Sequence, residues 1–310
     1  MRRLVLASSV LFACAAPGSA AAADLPPGPE EVPLKAVAPI PPAFSWTGCY
    51  LGVNAGVARA HNVADLSPAG SYLNPAGASA PPNTAGSGDI SASVAALSNS
   101  YDMTNNGWEA GGQIGCNSQW GVAVFGLEGD WQWTNVSTST DATYAALPNL
   151  GTIGFTDPAH TEHVDVAQRW FATARARAGF TPWERVLVYA TGGVAWANYA
   201  SNTAVNFATI AAGAFGQPYN GASHAGSATA TVAGPVVGGG IEWAITNNWT
   251  VKAEYLYMRF DGFAYNSPLV AAAAPFASGY AWNTIVTLRE QVVRIGVNYK
   301  FDWGPVAAGY

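Results

Sequence analysis

Alternation with a period of two recurs along most of this chain. In VVRIGVNYKF, residues 292–301, Val293, Ile295, Val297, Tyr299 and Phe301 fall on one side. Val292, Arg294, Gly296, Asn298 and Lys300 fall on the other. Successive side chains of a pleated strand point to opposite faces, so this pattern predicts a strand with one apolar and one polar face. Eight stretches share the texture: Ser45–Val57, Trp108–Trp120, Val122–Asn135, Val166–Phe180, Arg185–Tyr199, Val232–Ile245, Trp249–Phe260 and Arg289–Phe301. They run 12–15 residues. That exceeds the ~5–6 of an ordinary strand and the ~9–11 tilted residues that cross a bilayer.

The connections between these stretches are of two kinds in strict alternation. After the second, fourth and sixth they are WG, TPWE and TNN, which are tight-turn sequences. After the first, third, fifth and seventh they are long, the first covering residues 58–107. Long structureless loops are rare inside a compact soluble domain. Their alternation with turns predicts an antiparallel up-and-down sheet with all turns at one end and all loops at the other. Eight strands, an even number, close into the smallest bacterial membrane barrel. In lipid that closure is required, because an open sheet edge leaves backbone groups unsatisfied.

The period does not say which face meets water. Tryptophan placement does. Trp46, Trp120, Trp183, Trp249 and Trp303 mark the turn ends of the stretches, and Trp108, Trp131, Trp133, Trp196, Tyr257 and Phe260 lie nearer the loop ends. Two aromatic girdles flanking an aliphatic band fit the two membrane–water interfaces. The apolar rows then face lipid and the polar rows the lumen. On the polar rows alternation places Glu128, Asp130, Glu242 and Glu254 with Arg175, Arg177, Lys252, Arg294 and Lys300, a near-balanced set as a narrow interior demands.

Only 10% of the residues are charged, against about a quarter in ordinary globular proteins, and glycine and aromatics fill the gap. The chain begins with Arg2 and Arg3, an apolar run from Leu4 to Ala16 and small residues before Asp24. This reads as a secretory signal over 1–23, too short to span a membrane as a helix. Phe12 fits the competing lipoprotein site ending at Cys14 poorly. Residues 24–43 are proline-rich and read as an extended periplasmic spacer, residues 44–301 as the barrel, and residues 302–310 as a short tail. The formal net charge of −6 becomes −8 without the two leader arginines, and no basic patch suggests nucleic acid.

The segments FSWTGCYLGVNAG, GGQIGCNSQWGVAVFGLEGDWQW, RVLVYATGGVAW, GGGIEWAITNNWTVKAEYLY and VVRIGVNYKF resemble the alphaproteobacterial outer-membrane β-barrel family, the Omp25/Omp31-like porin-family proteins. They are more distantly similar to the transmembrane domain of OmpA. The resemblance covers roughly residues 44–301. It implies an eight-stranded barrel in the outer membrane of a Gram-negative bacterium, with turns toward the periplasm and loops outside. It also implies inward salt bridges of the OmpA kind at Glu128, Glu242, Lys252 and Arg175 or Arg177. The implied partners are outer-membrane lipid and lipopolysaccharide, and the barrel-assembly machinery reading a terminal aromatic such as Phe301 or Tyr310. Self-association and an extracellular ligand are left open. Cys49 and Cys116 fall near the turn ends of adjacent strands on the same parity, so a cross-strand disulfide is expected, with two buried thiols as the alternative.

No phosphate loop, dinucleotide fingerprint, zinc motif or nucleophile elbow occurs, and no cofactor is expected. His160 and His163, in the second long connection, form the one metal-like pair. His61 and His224 lie in the first and third long connections, so surface haem capture is an alternative. An enzyme needs a serine, a histidine and an acid held together, and no strand-borne serine adjoins a histidine. The expectation is a non-enzymatic envelope protein with a surface role. A small-solute porin and an adhesin or haem-binding protein working through residues 58–107 are the alternatives. Conduction is opposed by size, since eight strands enclose little more than their own side chains.

Overall fold

The computed structural model describes residues 44–69, 97–150, 155–157, 159–209, 221–271 and 281–301. The leader, the spacer, Trp303 and the tail lie outside them. Among the described residues there are eleven strands. The barrel wall is built by β1 (Gly48–Ala69), β2 (Asn99–Trp120), β3 (Ala123–Thr134), β7 (His160–Trp183), β8 (Val186–Phe207), β9 (Ser223–Ala244), β10 (Trp249–Ala271) and β11 (Ala281–Lys300). Beyond Asn135 and Val136, β4 (Ser137–Tyr144) carries the third wall strand onward along β7. A two-stranded hairpin, β5 (Leu147–Leu150) with β6 (Phe155–Asp157), pairs separately.

Every wall strand is antiparallel to both neighbours, including β1 with β11 and β3 with β7. The ring can be walked residue by residue. Ala58 pairs with Val292, then Leu256, Gly238, Thr191, Arg177, Gly126, Asn117 and finally Gly48, back on β1. The circuit returns ten residues below its start, a stagger that tilts eight strands by about 40°. Each residue then rises ~2.5 Å along the barrel axis.

The strands are longer than the alternation suggested: β1, β2, β8 and β9 have 22 residues each and β7 has 24. About half of that length suffices to cross the membrane. The remainder continues outward as barrel wall, through segments the sequence reading assigned to loops. There the faces reverse. In the turn-side half, Leu51, Val53, Ile114, Leu127, Ile241 and Ile295 point outward and exposed, while Glu128, Arg175, Lys252 and Arg294 are buried inside. In the loop-side half, Ala60, Leu66, Met103, Val164, Val205 and Leu288 are buried inside one continuous core, while Asp65, Asp102, Asn106 and Asn202 are exposed. The first half follows the rule of a membrane barrel and the second that of a water-soluble one.

A disulfide joins Cys49 to Cys116, which are direct partners across the β1–β2 ladder. At the Trp120–Ala123 turn, Gly121 adopts a φ of 61°, and at the start of β1 Gly48 adopts 137°, conformations that glycine reaches without strain.

Candidate functional site

The turn-side lumen is filled by one ion-pair network. Cross-strand register brings its members together: Glu128 is opposite Arg175, Lys252 opposite Glu242, and Glu254 opposite Arg294. Arg175 donates through Nη1 to Glu254 Oε1 at 3.0 Å and through Nη2 to Asp130 Oδ2 at 2.9 Å, and also bonds Glu128. Arg294 donates through Nε to Glu254 at 2.8 Å and through Nη2 to Asp130 at 2.9 Å. Lys252 Nζ sits 2.9 and 3.0 Å from the two Glu128 oxygens. Arg177 reaches Glu242 at 2.7 Å, and its guanidinium lies 3.9 Å from the Tyr189 ring centre. The hydroxyls of Tyr50 and Tyr189 donate to Glu128 and Glu254, and Thr173 donates to Asp130 at 2.8 Å. Four acids thus meet four bases with their side chains almost wholly buried, and burial of this kind is tolerable only because each charge is paired and hydrogen-bonded.

Lys300 departs from the expectation. It is half-buried at the periplasmic rim, where its ammonium bonds the Ser45 carbonyl and lies 4.7 Å from the Phe44 ring centre. Being the last residue of β11, it is past the level at which an inward side chain reaches the network. Trp46 departs too. It is 2% exposed and packs with Phe44, Val124, Leu187, Tyr189 and Ala244 across the periplasmic mouth. The chain entering β1 folds under the barrel, so Trp46 serves as a plug rather than an interface anchor. Trp120, Trp183 and Trp249 do project outward, at 72%, 69% and 49% exposure.

Three buried acids lie outside the predicted set: Glu162, beside His160, and two more. Glu109 and Glu290 lie on inward positions of β2 and β11, each 1% exposed. Glu290 accepts from Gln168 at 2.6 Å, while both Glu109 oxygens lack a hydrogen-bond partner among the described residues. The signal was available, since Glu290 shares the parity of Arg294 and Glu109 that of Gln113.

The histidines sit on wall strands, not on loops. His160 is buried, stacked between Tyr144 and Phe207 at 4.7 and 4.9 Å, and beside Glu162 at 3.4 Å. His224 is buried against Phe207. His163 points outward to Asp141 at 2.7 Å, and His61 outward to Asp102 at 3.3 Å. Strand parity therefore separates His160 from His163, and two histidines inside and two outside do not form one ligand set. Tyr101, at the same outer level, bonds Glu162 and lies 2.7 Å from Tyr144. Burial and that carboxylate hold its phenol well above the ordinary value.

On the outside, Trp108, Trp133 and Trp196 are exposed where the faces reverse, and Trp131 stacks on Trp170 at 4.4 Å. Trp249 to Tyr257 on β10 and Trp120 to Trp108 on β2 bound a belt of about 20–30 Å at ~2.5 Å per residue, matching the apolar band of an outer-membrane barrel. A closed ring of hydrogen-bonded strands, apolar outside and charged inside over that belt, defines an integral β-barrel of the bacterial outer membrane.

The chain matches the outer membrane protein beta-barrel domain family over residues 8–301 and belongs to it. It is of the Omp25/Omp31 type. It is 32% identical over 304 residues to the 31 kDa outer-membrane immunogenic protein of Brucella melitensis biotype 1, spanning 97% of this chain and all of that one. The same figures hold for the protein of that name in Brucella suis biovar 1. Among solved structures it is similar to the outer membrane protein OprG from Pseudomonas aeruginosa, with 12% identity, a TM-score of 0.38, and coverage of 84% of this chain and 98% of that one. It is also similar to Neisserial surface protein A, with 13% identity, a TM-score of 0.31, and coverage of 81% and 97%.

Proposed function

We propose that this outer-membrane barrel is a non-enzymatic structural protein that supports envelope integrity, presents its outer connections at the cell surface, and keeps its lumen closed to solutes. One observation carries the reading: the interior is occupied along its length. Trp46 and Phe44 cover the periplasmic mouth, the Glu128–Arg175–Glu254–Arg294 network crosses the middle, and the apolar core around Leu66, Phe207 and Trp282 fills the outer half. A solute pathway would need several buried, mutually bonded charges to move apart at once. The immunogenic character in the name of the Brucella relatives supports surface presentation of the outer connections.

Planar-bilayer recording tests the closed lumen. The expected trace is silent, and steady, reproducible unitary steps would establish the porin alternative instead. Deleting residues 70–96 while retaining heat-modifiable migration on gels separates the two surface roles. Loss of cell adhesion or haem uptake would assign recognition to that segment, while unchanged values with weakened detergent resistance of the cells fit the envelope role.

A further inference from the structure

The outward-facing arginines of the outer half sit at one level. Arg59 is two residues beyond lipid-facing Val57 on β1, Arg259 two beyond Tyr257 on β10, Arg289 two beyond Gln291 on β11, and Arg169 adjoins Trp170 on β7. At ~2.5 Å of rise per residue, each lies about 3–5 Å above the outer aromatic girdle, the depth of lipid headgroups. Three of the four are neighbours. Register places Arg259 directly opposite Arg289, Arg289 opposite His61, and Arg59 opposite Gln291 in the adjoining row.

Two like charges directly across a ladder repel, so a cross-strand Arg–Arg pair needs an anion between or beside its members. The described residues supply none. Among the described residues Arg59, Arg259 and Arg289 form no ion pair, and the Nε of Arg289 is buried without a hydrogen-bond partner. Carboxylates are near but otherwise engaged or turned away: Asp102 pairs with His61, and Asp65 accepts from Ser100. Asp261 is exposed at the β10 bulge and ion-pairs with none of the three arginines. Inward, the neighbouring Glu290 is on the opposite face of β11. The contrast with the lumen is plain, for there every cation is matched to a carboxylate.

We propose that Arg59, Arg259 and Arg289 form a binding site for the phosphate groups on the sugar head of the outer-leaflet glycolipid, whose acyl chains would run down the Val293, Tyr255 and Val57 row below. Guanidinium forks suit phosphate because two parallel N–H groups meet two oxygens. The apolar row beneath and the depth of the patch select a lipid-borne phosphate over a soluble anion. The site rests on the membrane depth derived above.

The test is native mass spectrometry of the full mature protein in detergent, titrated with diphosphorylated lipid A and with lipid A stripped of phosphate. One phosphorylated molecule is expected to be retained. R59Q/R259Q/R289Q should weaken it at least tenfold, to the level of stripped lipid A on the wild type, while R169Q, on the far wall, should change it less than twofold. Equal binding of the stripped lipid, an unchanged triple variant, or displacement by inorganic phosphate or a sulfated oligosaccharide at matched concentration would overturn the proposal. Heat-modifiable migration of each variant reports the barrel separately, so loss of the fold is distinguished from loss of the site. A single variant gives a second reading. R259Q, which removes the like-charge repulsion, should unfold at a higher temperature than the wild type in lipid-free detergent and at a lower one with phosphorylated lipid A. The same ranking in both conditions would refute the site.

Discussion

Tyr50 lies across Gly115, its direct partner on the β1–β2 ladder, and the space its ring fills is the side chain that Gly115 lacks. A Cβ at 115 would stand 2.4 Å from the Tyr50 hydroxyl oxygen and 2.5 Å from the adjoining ring carbon. The glycine thus aims the phenol at Glu128. Gly115→Val is expected to push the ring aside and to destabilise the barrel by about 1–3 kcal/mol through overpacking. Urea unfolding in detergent, monitored by tryptophan fluorescence, gives the value. The same substitution in a Tyr50→Ala background should recover only the part due to the ring, since a Cβ at 115 also stands 2.8 Å from the Leu127 carbonyl oxygen.

Lys252 and Lys300 are both inward by alternation but differ in consequence. Lys252→Met strips a buried partner from Glu128 and should cost about 3–5 kcal/mol. Lys300→Met, at the half-exposed rim, should cost less than about 1 kcal/mol. Paired unfolding curves decide, and equal losses would return Lys300 to the network.

The Cys49–Cys116 bond closes a loop across 67 positions. Restricting an unfolded chain over that separation contributes about 4 kcal/mol in the loop-entropy description. C49S/C116S should therefore lower the unfolding midpoint while leaving the heat-modifiable gel shift of the folded barrel in place, since the ladder around the bond is otherwise complete. A gel shift abolished by the double substitution would mean that the bond is needed to form the barrel.

His224, in the outer half above the membrane, is fully buried, and burial pushes its imidazole down to about 4 from 6.5. The unfolded chain then takes up this proton at a higher pH than the folded one. Stability from the neutral ring is complete above about pH 6.5 and is lost as pH falls toward 4, up to about 3 kcal/mol in all. Unfolding midpoints between pH 7 and 5 should fall more steeply for the wild type than for His224→Leu, and parallel slopes would exclude the group.

The barrel, its strand number and its sidedness in the membrane half were legible in the sequence because Val293, Ile295 and Val297 alternate cleanly with Arg294 and Asn298. The outer half was not legible for a specific reason. In VARAHNVADL, residues 57–66, the inward row is Ala58, Ala60, Asn62, Ala64 and Leu66. Those small residues carry too little hydrophobic contrast to announce a strand, and the row that held lipid-facing residues lower down now holds Arg59, His61 and Asp65. With one sidedness expected throughout, the reversal resembles the end of the strand. Trp46 misled differently: its position at a strand entrance fitted the girdle, and only the fold of the preceding residues turns it beneath the barrel.

The reversal of faces also works as a waterline. If the barrel sank by two or three residues, Arg59, Arg259 and Arg289 would reach the edge of the hydrocarbon at up to about 1 kcal/mol each, a cost that climbs to about 2–4 kcal/mol each at the midplane. If it rose, Trp120, Trp183 and Trp249 would leave their interface and the aliphatic belt would meet water. The protein therefore carries its own draught mark, and its depth is set from within the chain.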